Sequence, residues 1–491
     1  VLCYDVAPMP LFLVVPLAIY LLTFVLCFSE RKIYHRGIYF ALFTAHALGY
    51  GMGAVGEGEL HVLYSSIFIL ILLYASCMCC HGELYKLRPQ AADLTSFYLH
   101  LSIGGFIGSV CAALIAPFVF NDGYHELALA IALLAILLSG AILGDQEKVF
   151  PGLSLKLDRI LVGGLPIVIV GALYWHFGRT SPRILHHSRS FYGILRVFDA
   201  WEPSVNATTR HLVNGRIRHG SQLMDPAREM TPISYYGIHG GFGLTVSALR
   251  SQRGSLRVGV VGLGAGAAMG YARGGDYFRL YELNPDVIPV AKTLFRYLST
   301  SEEGPQDAAA QSKARYEIVE GDGRLALAGE SPQQFDLLLI DAFTSDAIPT
   351  HLLTVEAVQL YFRHLKPGGI LLFHISNRHL DLAPVVLRIG RTLAISVRFL
   401  RHDGSPVGSG ELPSLYAALS RDTPLLQNIA TPVNPSESPG VAAAGKPAPL
   451  WTDDFTSLFG VLNFIPPWES LAVSLGIRLP ERQPSSDSDA R

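Results

Sequence analysis

The sequence predicts a multi-span α-helical membrane domain followed by an open, doubly wound α/β sheet, and three observations carry that prediction. Long apolar runs fall almost entirely before residue 178. Charge, glycine turns and alternating strand patterns dominate afterwards, so two differently built halves share one chain. In the second half, Val258-Gly-Val-Val-Gly-Leu-Gly-Ala-Gly266, Tyr281-Glu-Leu-Asn-Pro285, Glu320-Gly-Asp-Gly-Arg324 and Leu339-Ile-Asp-Ala-Phe-Thr-Ser-Asp-Ala-Ile-Pro349 place a glycine or a carboxylate after each of four successive strands. An open parallel sheet binds nucleotide-like ligands along that edge.

Six apolar segments, near 9–28, 38–57, 61–80, 95–120, 126–144 and 160–177, have about the length a bilayer demands. Gly104, Gly105, Gly108, Pro117, Gly163, Gly164 and Pro166 inside them suit helix packing in lipid. The lipid bilayer is therefore an expected partner, and the expected location is a cell inner membrane, crossed several times. Basic residues lie in alternate loops (Arg31, Lys32 and Arg36; Lys86 and Arg88; Lys148, Lys156 and Arg159), which should be cytoplasmic. A sixth crossing over 160–177 would then deliver the second half to the opposite face, although Arg179, Arg183 and Arg189 make that side basic too. Either that segment is not a full span, or the charge rule fails here, or the second half lies outside the cytoplasm. The chain starts at Val1 without a signal-peptide layout, so further sequence is expected upstream.

With 38 basic and 40 acidic residues and no basic block, nucleic acid is not an expected partner. All six cysteines, Cys3, Cys27, Cys77, Cys79, Cys80 and Cys111, lie in the apolar half and form no disulfide framework. Small polarizable residues at a helix end are a commoner explanation of Cys77-Met-Cys79-Cys80-His81 than a metal site, so no metal is expected. His46, His100 and His176 have no acidic partners in their segments, which favours packing over a transport path.

After the membrane half, residues 188–236 read as a small antiparallel sheet, with Asn214-Gly215 a strong hairpin signal. From 237 to 475 strand, glycine turn and helix alternate, with strands near 257–262, 277–283, 316–320, 335–341 and 368–375. Residues 299–315 read as a surface insertion, 422–450 as a long loop and 476–491 as a disordered tail.

Gly262, Gly264 and Gly266 form a turn whose backbone can approach a ligand closely. With Ala267 it also fits a dinucleotide fingerprint, and Glu282, placed to accept both ribose hydroxyl protons, fits either cofactor. The later acids discriminate. Asp322 would reach an adenine amino group, and Asp341 with Asp346 forms an acidic pair that dinucleotide folds do not require. Such a pair suits an amine acceptor. An alkylamine has a pKa of about 10, so its attack on carbon needs a group that takes the proton. For each acid alone the plain alternative is a helix cap or turn residue, most of all for Asp346.

These motifs resemble the polyamine aminopropyltransferase (spermidine synthase) family. With the helices, the chain is similar to its membrane-fused bacterial branch, on Asp5-Val-Ala-Pro, His81-Gly-Glu-Leu, Asp341 to Pro349, His374-Ile-Ser-Asn-Arg-His-Leu-Asp-Leu and Trp451-Thr-Asp-Asp. The resemblance implies a Rossmann-like (class I S-adenosylmethionine-binding) domain behind a small β-sheet. It also implies transfer of an aminopropyl group from decarboxylated S-adenosylmethionine to an amine such as putrescine, with no prosthetic group. In those terms Glu282 holds ribose, Asp322 and Gly323 hold adenine, Asp341 is the base, Asp346 binds the far end of the diamine and Tyr235 contacts substrate. Two departures stand out: Ala265 occupies the place of an aspartate that contacts the aminopropyl amine of the cosubstrate, and Tyr235-Tyr236-Gly237 lacks the acid that should follow its tyrosine. The loop after Asp341 is also two residues longer than the family pattern. Three alternatives stay open: S-adenosylmethionine-dependent methyl transfer, a catalytically degenerate accessory subunit of a membrane complex, and transport. A homodimer through the second half is equally open.

Overall fold

The computed structural model describes residues 11–29, 33–53, 59–145, 148–150, 152–179, 184–215, 217–304, 313–342, 349–377, 380–404, 408–429 and 449–461. All six apolar segments are helical: α1 (Leu11–Phe28), α2 (Arg36–Gly51), α3 (Glu59–Lys86), α4 (Leu94–Val110) continued by a π-turn over Cys111–Ile115 into α5 (Ala116–Val119), α6 (His125–Gly144) and α7 (Leu155–Arg179). Among the described residues four stretches are long and apolar enough to cross a bilayer: Tyr64–Lys86, Ala91–Val119, His125–Gly144 and Leu155–His176. The described part of α1 is shorter, and α2 has 16 residues. Segment 155–176 is one continuous helix, long and apolar enough to cross a bilayer.

The helix ends gather as the alternation of basic loops requires. Arg36 pairs with Glu83 and, at 2.9 Å, with Asp145, joining the starts and ends of α2, α3 and α6 at one end of the bundle. His46 and His100 return their Nδ1 atoms to carbonyls four residues back, Leu42 at 2.9 Å and Ser96 at 2.7 Å.

A four-stranded antiparallel sheet follows: β1 (Ile184–Ser190), β2 (Gly193–Glu202), β3 (Ala207–Asn214) and β4 (Ile217–Leu223), in that spatial order. It begins before the expected residue 188 because β1 pairs with β2 from Ile184. Gly215, at φ +60°, makes the β3–β4 turn that Asn214-Gly215 foretold. Arg189 in β1 docks this sheet onto the helices. Its guanidinium donates to Phe120 O, Gly123 O and both Glu126 oxygens at 2.6–3.2 Å, and lies 4.6 Å from the Tyr124 ring centroid.

The second sheet has eight strands and is Rossmann-like. After α8 (Gly241–Arg250) come β5 (Arg257–Val261), β6 (Tyr277–Glu282), α9 (Val287–Leu294), β7 (Glu302–Glu303), β8 (Arg315–Glu320), α10 (Gly323–Gly329), β9 (Phe335–Ile340), α11 (Val355–Arg363), β10 (Leu365–His374), α12 (Ala383–Thr392), β11 (Ser396–His402), β12 (Ser414–Ser420) and α13 (Thr423–Gln427). The strand order is β11-β12-β10-β9-β5-β6-β8-β7, parallel except at β12. Central β9 is buried throughout, as a strand apolar at every position but one requires. Its one charge, Asp336, is satisfied by Arg253, Lys366 and the Arg257 amide.

Three sequence expectations need correction. The 299–315 insertion opens with the edge strand β7, held by Glu302 against Arg315 at 3.1 Å and Lys313 at 3.6 Å. The 422–450 loop opens with α13, because Asp422 caps it through the Leu425 amide at 3.0 Å. Strands β11 and β12 extend the sheet beyond the five expected strands. Residues 430–448 of that loop, the 476–491 tail, Asp5 and Asp346 lie outside the described residues.

Candidate functional site

The chain leaves β5 toward β6 on one side and returns to β9 on the other, so the sheet's topological switch point lies at the carboxyl ends of β5 and β9. Val261 pairs with Ile340 in register, which sets Gly262 and Asp341 side by side. A cavity of about 120 Å³ opens there, and it brings together Gly262, Gly264, Glu282, Asp322, Gly323, Asp341 and Tyr235. Gly266 does not line it. Its φ of +82° turns the chain, so its glycine serves the backbone rather than a ligand.

The glycine turn is tight for a reason the sequence did not show. A Cβ on Gly262 would lie 2.2 Å from the Asp341 carbonyl oxygen, and one on Gly264 would lie 2.4 Å from that of His219. Protein backbone fills the space the glycines leave. Gly323 is likewise needed for packing, since a Cβ there would meet Val261 at 2.6 Å. Strand β4 thus presses on the turn, and at Gly220 an added Cβ would lie 2.4 Å from that of Ala265. The Ala265 methyl group packs against the bare Gly220 backbone and also borders the cavity.

Each acid is held differently. Glu282 is buried and accepts the amides of Leu263 at 3.0 Å and Asn284 at 2.8 Å. Burial raises its carboxyl above the ordinary carboxylate range, against the pull of those amides. The carboxylate borders the cavity, where a hydroxyl donor can approach it. Asp322 caps α10 through Leu325 N at 2.9 Å and pairs with His351 at 3.0 Å, so the cap alternative holds for it even as it lines the cavity.

Asp341 is nearly buried. Tyr236 donates its hydroxyl to Oδ2 at 2.5 Å, and His374 Nδ1 meets Oδ1 at 2.7 Å. Tyr236 is thus the tyrosine that reaches the carboxylate, whereas Tyr235 stacks on His374 with ring centroids 4.5 Å apart. Burial, then the Asp341 charge, raises the Tyr236 hydroxyl well above its usual range and keeps it a donor. His374 Nε2 lies 2.8 Å from Ser376 Oγ, completing a serine, histidine, aspartate chain. Ser376 is not part of the cavity lining and its oxygen accepts the Leu415 amide at 2.8 Å, so the chain orients Asp341 rather than presenting a nucleophile.

The acid absent from Tyr235-Tyr236-Gly237 returns from elsewhere. A Cβ on Gly237 would lie 2.3 Å from Glu411 Cγ, and the Glu411 carboxylate, buried there, meets His239 at 3.0 Å and His402 at 3.2 Å. Tyr236, His374 and His219 escaped the sequence reading as site residues. His374 and Tyr236 left traces, the first as the opening residue of a motif at a strand end and the second inside Tyr235-Tyr236-Gly237.

No family model and no curated protein matches the chain. Solved structures similar to it include a probable spermidine synthase from Corynebacterium glutamicum, at 14% identity and TM-score 0.36 over 54% of this chain and 85% of that one. Spermidine synthase from Thermotoga maritima is similar at 15% identity and TM-score 0.35, over 60% and 88%. Human methyltransferase-like protein 13 in complex with SAH is similar at 18% identity and TM-score 0.27, over 43% and 94%. Scores this low decide no function, which rests instead on the chemistry of the site.

Proposed function

We propose that the α/β half is a transferase that binds an adenosyl sulfonium and passes its aminopropyl group to an amine such as putrescine, with the helices anchoring it in the inner membrane. The observation that carries this reading is the cavity at the switch point in which Glu282, a ribose acceptor, faces Asp341, a proton acceptor. Tyr236 and His374 engage one lone pair on each Asp341 oxygen, and a carboxylate has about four such sites. The acceptor's ammonium gives a proton to a remaining site. Its nitrogen pair then attacks the carbon beside sulfur, the C–S bond breaks, and a neutral thioether leaves. A cavity of about 120 Å³ is below the roughly 300 Å³ of small-molecule sites, so a nucleoside must widen it. The half-exposed His351 is the wall that yields with least disturbance.

Incubating the purified chain with decarboxylated or intact S-adenosylmethionine and a diamine panel tests the reading: an aminopropylated product supports it, and a methylated product replaces it with methyl transfer. Glu282→Gln should weaken binding of 5′-methylthioadenosine about 10- to 100-fold by calorimetry, since a charge-assisted acceptor is lost. The pH signs differ. Nucleoside binding needs the ionised carboxylate, so affinity should fall as pH drops through the raised Glu282 pKa. Folding favours the protonated form, so that contribution to stability is present at low pH and lost as pH rises through the same value.

A second reading, a degenerate accessory domain outside the cytoplasm, draws on the Arg189 dock. Arg189 ties the sheet to the loop before α6, the end opposite Arg36, Lys86 and Lys148. On the transferase reading, Thr300→Cys should resist a membrane-impermeant thiol reagent in intact cells and react after permeabilisation. Reaction in intact cells would favour the accessory reading.

A further inference from the structure

We propose that His219 is a second amine contact of the cavity, accepting a hydrogen bond from the cationic substrate. This rests on the transferase reading, and three observations support it. His219 lies on β4, whose backbone is pinned to the glycine turn through its own carbonyl against Gly264 and through Gly220 against Ala265. These two contacts fix position 219 beside the turn. The imidazole lines the same cavity as Asp341 and Glu282.

Its Nε2 is buried with no hydrogen-bond partner among the described residues. Leaving such an atom unpaired costs its full desolvation, and a native fold keeps one where something else satisfies it. Burial lowers the His219 pKa while the Asp341 charge opposes that shift, so at neutral pH the ring is an uncharged acceptor within reach of the Asp341 field. A neutral acceptor opposite a carboxylate suits an alkylammonium. It draws one N–H while Asp341 takes another, without the repulsion a second cation would bring.

The test is calorimetry on the full-length chain in lipid nanodiscs, titrating putrescine and, separately, 5′-methylthioadenosine. His219→Leu should weaken putrescine binding about tenfold or more, leave methylthioadenosine within about twofold, and be largely rescued by His219→Gln, whose amide oxygen accepts the same bond. If His219→Leu does not accumulate, His219→Phe removes the nitrogens and keeps a ring. Unchanged putrescine affinity in the apolar variants overturns the proposal. So does equal loss of both ligands, or a wild-type chain that does not bind putrescine. A wild type that binds putrescine through His219 but not methylthioadenosine leaves the amine contact standing and sinks the adenosyl reading.

Discussion

Asp341→Asn lowers kcat/KM for amine transfer about 10²- to 10⁴-fold, the range a positioned general base supplies. The fold should survive the change. The amide oxygen can keep the 2.7 Å bond from His374 Nδ1, and the amide nitrogen can donate to a Tyr236 hydroxyl that rotates to accept, so no buried partner is orphaned. Comparing thermal midpoints with turnover numbers checks this: activity falls while the midpoint stays close to wild type. If Asp341→Asn retained more than about a tenth of the activity, Asp341 would lose the role of base. Binding of methylthioadenosine to the same variant should be near wild type, which separates lost chemistry from a lost site.

Gly262→Ala should damage both stability and activity. At φ +104° a side chain is strained by about 1–3 kcal/mol. Its Cβ would also lie 2.2 Å from the Asp341 carbonyl oxygen, so the end of β9 must move. A shift of about 1 Å in a catalytic group can cost about 100-fold in rate, and a loss of that size in kcat/KM is expected here. Gly266→Ala is the matched control. It carries similar strain at φ +82°, but its nearest neighbours would be 3.6 Å away at Leu298 and Tyr297, and it does not line the cavity. Its midpoint should drop without a comparable loss of rate. Equal losses in the two variants would mean that the glycine turn acts on folding alone.

The strand-end acids were legible because strand, turn and helix follow one another at regular spacing, and the residue after each parallel strand must fall on the same sheet edge. Glu282 and Asp341 needed nothing more. Asp322 was legible both as a candidate site residue and as a cap; it caps α10 and lines the cavity. Tyr236 was not separable from Tyr235, because two neighbours in an irregular turn have no periodicity to say which points inward; the hydroxyl that meets Asp341 belongs to the second. Glu411 could not be assigned either. It fills the space beside Gly237 from the far end of the fold, where neither spacing nor composition links the two positions.

By itself the sequence determined the division into an apolar helical half and an α/β half, the place of the switch point, and the acids along its edge. Burial of apolar runs and the two-residue period of strands are local rules, and they act before any long-range contact forms. The tertiary structure alone decided what surrounds those acids. Tyr236 and His374 clasp Asp341, β4 closes over the glycine turn, His219 stands beside Ala265, and Arg189 fastens the small sheet to the loop before α6. Each of these joins residues brought together by packing, where the geometry of two distant segments sets the contact and neither segment encodes it alone.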